Sequence, residues 1–283
     1  LCKNILVMLK AYLDNNIIAR IEDNTFTVQD IYKMLGTDKV EFFYSDDHIR
    51  EAHPLRYTTN DKQLGLKRVL NRLREISRIT NNRMLGFDRS GNVIAVYALP
   101  FRRYASINDF ATEEQVRNGF EDNGPDSPYK GMPFEMRKLY RKIFDFEPQE
   151  LNNVPVDQII DVLDKIFIER QNKAGEEYKK KWGTSLKDME QEYFKQLGGN
   201  PSMYDKIAAI FLLLDLCGYQ KDKETERSDF ARMYDSSHAT MAVHCDYFIS
   251  NDKKTRMKTQ VAYHYLNTCY NAGIKTQVIE LKK

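Results

Sequence analysis

CDYFISNDKK, residues 245–254, joins an apolar, β-branched and aromatic run to a polar stop at Ser250-Asn251-Asp252. A short apolar run closed by turn residues predicts a strand buried on both faces, as in a parallel sheet. LVMLKAYLDNN (6–16) repeats the pattern near the other end of the chain, closing on Asp14 and two asparagines. KVEFFYS (39–45) and TQVIEL (276–281) supply two more strands. Helical spacing at Val28, Ile31 and Leu35 lies between the first pair. Ser45 or Asp46 caps a helix running through HIREA toward Pro54. Late in the chain come a long apolar helix (207–219), a helix opening near Asp235, and another after CDYFIS. The order is β–α–β–α early and α–β–α–β late, which predicts an α/β fold with a central parallel sheet and helices on both faces.

The middle of the chain reads differently. LGLKRVLNRLREISRI (64–79) places Leu66, Val69, Leu70, Leu73 and Ile76 on one face of an amphipathic helix. MLGFDRSGNVIAVYAL (84–99) switches to period two around Asp88–Asn92, a hairpin signal. FEMRKLYRKIF (134–144) and VDQIIDVLDKIFIER (156–170) are helical, and Gly198-Gly199-Asn200-Pro201 breaks the chain. This divides the protein into a core of 1–58 and 203–283 and a mostly helical insertion, 59–202, carrying the hairpin.

At 42% hydrophobic and 30% charged residues, the composition is that of a folded, water-exposed protein and excludes a disordered chain. The four cysteines have neither CxxC pairing nor zinc spacing, which points to buried thiols of a reducing compartment. The apolar run at 207–219 holds Asp215 and is too short to span a bilayer. No signal-peptide layout opens the chain, so a cytoplasmic protein without a membrane partner is expected, with Met8 a candidate start. Net charge is only +2, yet it is polarised. From Lys62 to Arg103 ten Lys and Arg face two acids, whereas from Tyr104 to Arg170 eight bases face fourteen.

Parallel sheets carry their working residues at the C-terminal ends of strands, beside a switch in strand order. Asp14 and Asp252 follow two such ends. Glu51 lies on the helix after the second strand. Asp235 opens the helix feeding CDYFIS, with His238, Ala239 and Ala242 following on one face. If the strands share one sheet, these four acids converge. Like charges that close need a counter-charge, and oxygens without His or Cys ligands suit Mg²⁺ or Mn²⁺. Such an ion supports hydrolysis of phosphodiesters.

AYLDNNIIA, YSDDHIREA, DSSHATMA and CDYFISNDKK together resemble the PIN-domain (PilT N-terminus-like) nucleases. The likeness covers about 1–55 and 205–283, and D-x-x-H-A-x-x-A followed by C-D-Y-F-I-S-N-D is its most specific part. It implies a three-layer α/β/α core and an endoribonuclease whose Asp14, Glu51, Asp235 and Asp252 hold Mg²⁺ or Mn²⁺. Many relatives are toxins or defence effectors, so the likeness also implies an inhibitor or antitoxin partner, and self-association is compatible with it. The large insertion departs from the family's usual size, and Asn251 stands where many members carry a small residue.

Each acid also has a structural reading. Asp14 suits a turn, Asp252 a turn or an N-cap, Asp235 an N-cap, and Glu51 a solvated helix face. His238 either holds an acid or phosphate or simply packs, and Asp246, opening its strand, is assigned a structural role. For substrate, the expected contacts are Asn15, Ser250 and Asn251 beside the acids, then Lys253, Lys254, Arg256 and Lys258, and Arg102 and Arg103 with Tyr97, Phe101, Tyr104 and the basic face of the 64–79 helix. Charges beside rings suit single-stranded RNA, or structured RNA, with DNA ranked lower. A non-catalytic PIN-like module binding RNA or protein, and a structure-specific DNA nuclease, are the competing readings. Mutual repulsion among the acids predicts that Asp14→Asn leaves the metal-free protein no less stable.

Overall fold

The computed structural model describes residues 8–88, 92–110, 112–113, 151–174, 185–196, 201–220 and 226–282. Along the chain lie β1 (Leu9–Leu13), α1 (Asn15–Glu22), α2 (Val28–Leu35), β2 (Val40–Phe43), α3 (Asp46–Ala52) and α4 (Lys62–Thr80). They are followed by β3 (Arg83–Phe87), β4 (Val93–Tyr97), α5 (Pro100–Ser106), α6 (Ile159–Ala174), α7 (Leu186–Gln196) and α8 (Met203–Leu216). The last elements are α9 (Glu226–Ala242), β5 (Tyr247–Ile249), α10 (Lys253–Tyr270) and β6 (Gln277–Ile279). The helix expected at 134–144 and the break at Gly198–Asn200 fall outside the described residues.

Four strands form one sheet in the order β2-β1-β5-β6, every neighbouring pair parallel. The chain steps outward from β1 to β2 and later returns on the other side of β1 as β5. The strand order therefore reverses between β1 and β5, where Tyr12 pairs with Phe248 and Leu13 with Ile249. Side chains alternate across the sheet as pleating requires. Ala11, Leu13, Val40, Phe42 and Ile249 join a buried cluster with Ile17 and Ile18 of α1, Ile49 of α3 and the inner face of α4. Tyr12, Phe43 and Phe248 point the other way, into a second cluster with Met241 and Ala242.

The chain divides into two compact units. One comprises Leu1–Glu121, Ser237–Arg256 and Lys275–Lys283, the other Asp122–Ser236 and Met257–Ile274. This differs from the division at 58 and 203. Helix α4 and the hairpin β3–β4 belong to the first unit because Val69, Leu73, Ile76, Ile79 and Met84 complete the sheet's core. The hairpin continues from β2, with Tyr44 N–H donating to the Arg83 carbonyl and Leu85 N–H to that of Tyr44. The buried stripe of α4 is also rotated from the expected one: Leu66 and Leu70 are exposed, and Arg72 is buried. Gly65 lets α4 approach the 3₁₀ turn His53–Tyr57, since a Cβ there would lie 2.1 Å from the Arg56 carbonyl oxygen.

In the second unit, Leu163, Ile207, Phe211 and Leu214 are buried, and Glu190 accepts hydrogen bonds from Tyr265 and Tyr270. No helix among the described residues is long and apolar enough to cross a membrane.

Candidate functional site at the strand-order reversal

Asp14 directly follows β1 and caps α1. Its Oδ2 accepts the Ser250 hydroxyl at 2.5 Å and the Asn16 side-chain amide at 2.7 Å. Asn16 donates also to Ser250 Oγ at 3.1 Å, and its Oδ1 accepts the Asn251 backbone N–H at 3.0 Å. Asn251 Oδ1 in turn accepts Leu281 N–H at 2.9 Å. The ends of β1 and β5 and the segment after β6 are thus stitched together by short polar side chains. Asp252, exposed, sits past β5 and caps α10 through Lys254 N–H at 2.7 Å and Thr255 N–H at 3.1 Å. The cap foreseen as the structural alternative for Asp252 is present, and Asp14, expected as a turn residue, caps a helix as well.

Glu51 occupies α3, whose N-terminus is capped by Ser45 at the end of β2. Its Oε2 lies 2.7 Å from His238 Nε2. His238 Nδ1 is 2.7 Å from the Tyr12 hydroxyl, and Tyr12 is 2.6 Å from Ser45 Oγ. Ser45 donates to Asp47 Oδ2 at 2.9 Å, and Ser237 donates to the same oxygen at 2.7 Å. One consistent set of donors satisfies the chain: imidazolium to Glu51 and to Tyr12, Tyr12 to Ser45, Ser45 to Asp47. Burial works against the charge on His238, but the Glu51 carboxylate, with Asp14 and Asp47 behind it, holds its pKa up at about 10. Burial pushes the Glu51 carboxyl above its ordinary range, against the pull of His238.

His48, 4.8 Å from His238 ring to ring, is the opposite case. Its Nε2 donates to the Leu13 carbonyl at 2.7 Å and its Nδ1 accepts Ser45 N–H at 3.0 Å, a pattern that only the neutral ring fulfils. Burial, then the neighbouring His238 charge, holds its pKa well below the ordinary value.

Asp235 lies in the interior of α9, not at its opening, because the helix begins at Glu226. It stands one turn before His238 on the same helical face, in the stretch assigned to the second unit. Several expected substrate contacts are engaged elsewhere. Ser250 is fully buried against Asp14. Asn15 Oδ1 accepts from Arg72, which also bonds Glu22 at 2.6 Å. Arg103 forms a two-pronged pair with Asp46, with Nε to Oδ1 at 2.7 Å. Arg256 donates to the Ser250 carbonyl at 2.8 Å and pairs with Glu280, while Lys258 is buried 3.5 Å from Asp215. Lys253 and Arg102 are exposed, and Lys254 is half-buried.

Tyr12, Ser45, Asp47 and His48 were missed by the sequence reading. Asp47 carried one legible signal, its i, i+4 spacing to Glu51 on a capped helix. By chemistry, the oxygens of Asp14, Glu51, Asp47 and Asp252 suit a hard divalent cation. By position they are taken up by donors from the chain itself, and no group of three His, Cys, Asp or Glu is gathered to hold a metal among the described residues.

Fold and site together define an α/β protein with a four-stranded parallel sheet and a buried, acid-rich polar network where the strand order reverses. Comparison with family models, curated proteins and solved structures gives no match.

Proposed function

We propose that the chain is an endoribonuclease with a PIN-like three-layer core, its Asp14, Glu51 and Asp252 holding Mg²⁺ or Mn²⁺. The observation that carries this reading is the placement of Asp14 and the Ser250–Asp252 turn at the reversal between β1 and β5. That is where open α/β sheets bind their ligands. When bound, the cation would supply a water of lowered pKa and offset charge on the departing oxygen. The chain's own part is to orient carboxylates. Ser250 and Asn16 fix Asp14, His238 fixes Glu51, and the first turn of α10 fixes Asp252. Exposed Lys253 and Arg102, with exposed Lys67, Arg68, Arg74 and Arg78 of α4, are available to meet RNA phosphates.

The engagement of Asp14, Glu51 and Asp252 by donors from the chain favours a second reading, a non-catalytic PIN-like module that binds RNA or protein. Incubating wild type, Asp14→Asn and Asp252→Asn with matched RNA and DNA strands, with and without Mn²⁺, separates these. The nuclease reading expects Mn²⁺-dependent RNA cleavage lost in both variants. A wild type that binds RNA without cutting supports the module. Faster DNA cleavage would instead support a structure-specific DNA nuclease.

A further inference from the structure

We propose that His238 is a positioning residue for Glu51, held in place by the Tyr12 hydroxyl, so that the central strand of the sheet sets where that carboxylate points. The inference rests on the nuclease reading and names how one of its acids is aimed.

Glu51 stands on the short helix α3, and its side chain has three rotatable bonds before the carboxylate. Left alone it would sample several rotamers. His238 comes from α9, is 1% exposed, and reaches Glu51 through Nε2 at 2.7 Å. The imidazole is itself fixed at its other nitrogen by Tyr12, which is fully buried in β1 with its ring edge-on to His48 and tilted against His238 and Phe248. Tyr12 continues to Ser45, whose other partners are Asp47 and the N-terminal turn of α3. The path therefore closes on itself: α3 carries Glu51, and the same helix's cap anchors the tyrosine that anchors the histidine. Ser237, the neighbour of His238, ties α9 to Asp47 on that helix by a second bond. Such a ring leaves Glu51 little freedom relative to β1, whose end carries Asp14. A solvated helix acid would need none of this, and His238 differs from the equally satisfied His48 in that one of its two partners is a carboxylate. Hydrogen-bond partners that orient an acidic ligand in this way typically matter about 10–100-fold when removed.

The test compares His238→Leu, His238→Gln and Tyr12→Phe with wild type. Mn²⁺-dependent RNA cleavage is measured, and the His238 ring N–H signals are followed by NMR in ¹⁵N-histidine protein. Glu51→Gln is included for the NMR alone. Leucine removes both ring bonds, and kcat should fall about 10–100-fold with KM unchanged. Glutamine can return a donor to Glu51 and should recover most of that loss, a rescue that simple packing would not give. Tyr12→Phe removes one oxygen and keeps the ring, so it should fold even if leucine does not, and should lower kcat in the same sense. The ring N–H signal should shift on Glu51→Gln. Wild-type kcat in His238→Leu or Tyr12→Phe, or a ring signal indifferent to Glu51→Gln, overturns the proposal. If wild type cleaves nothing, the nuclease reading fails on its own, and the ring signal still decides whether His238 holds Glu51.

Discussion

Two histidines with touching rings carry opposite charge states, and each leaves a mark on stability against pH. His48, its pKa held low, refuses in the folded state a proton that the unfolded chain accepts below about 6.5. Its share of stability is whole above about 6.5 and falls as the pH drops below that value. His238, raised to about 10, keeps a proton that the unfolded chain releases above about 6.5. Its share is whole below about 6.5 and is lost as the pH climbs through about 10. The melting temperature should therefore decline on both sides, and His238→Gln, which cannot titrate, should flatten the limb from pH 7 to 10 while leaving the acid limb in place. A thermal melt series at fixed ionic strength checks this, and an unchanged alkaline limb would mean that His238 is neutral. At this scale the acids were legible because a carboxylate after an apolar strand is conspicuous. Tyr12 was not: within AYLDNN it reads as an ordinary strand aromatic, and the histidine that uses its hydroxyl lies 226 positions away.

Among the elements, α4 shows how the edge of an inner face can be misplaced: Val69, Leu73 and Ile76 are buried as expected, whereas Leu66 and Leu70 are not. Its sequence offers apolar residues around more than half its circumference, so spacing alone does not choose whether Leu66 and Leu70 or Arg72 and Ile79 flank the buried line. The choice is made by partners elsewhere. Glu22 and Asn15 draw Arg72 inward, and Gly65 lets the first turn close onto the His53–Tyr57 turn. Leu73 is fully buried, whereas Leu70 is 36% exposed. Leu73→Ala should thus cost about 2–5 kcal/mol, as deletion of a buried leucine does, while Leu70→Ala should stay within about 0.5 kcal/mol. Urea unfolding of the two variants side by side would test the rotation, and equal losses would restore the original stripe. The strands were more legible than α4 because burial on both faces leaves a sheet strand no inner side to choose. Their pairing order was not, since nothing in CDYFIS says that it lies beside β1.

For the whole molecule, the sharpest consequence concerns the charge at the strand-order reversal. Repulsion among converging acids predicts that Asp14→Asn costs the metal-free protein nothing. The hydrogen bonds around Asp14 reverse that sign. Its carboxylate accepts the Ser250 and Asn16 side chains on Oδ2 and the Asn16 backbone N–H on Oδ1, and an amide that keeps its oxygen toward Ser250 would set its own N–H₂ against that backbone donor. Asp14→Asn should therefore lower the apo melting temperature, by an amount corresponding to about 1–3 kcal/mol for a buried acceptor lost. Added Mn²⁺ should raise the wild-type melting temperature in proportion to the logarithm of its concentration above Kd, because a ligand of the native state stabilises by mass action. The Ser250 and Asn16 side-chain donors both occupy Oδ2, so the ion would meet Asp14 at Oδ1, which accepts the Asn16 backbone N–H at 3.4 Å. Asp14→Asn and Glu51→Gln should show no such rise, although Asp14→Asn starts from a lower baseline and Glu51→Gln does not share that reason to fall. Glu51→Gln starts lower for a different reason, since it leaves the buried His238 charge without its carboxylate. A Mn²⁺ titration by differential scanning calorimetry on the three proteins measures both effects at once. A rise of equal size in all three would place the ion elsewhere on the chain and remove the acids at the β1–β5 reversal from its coordination.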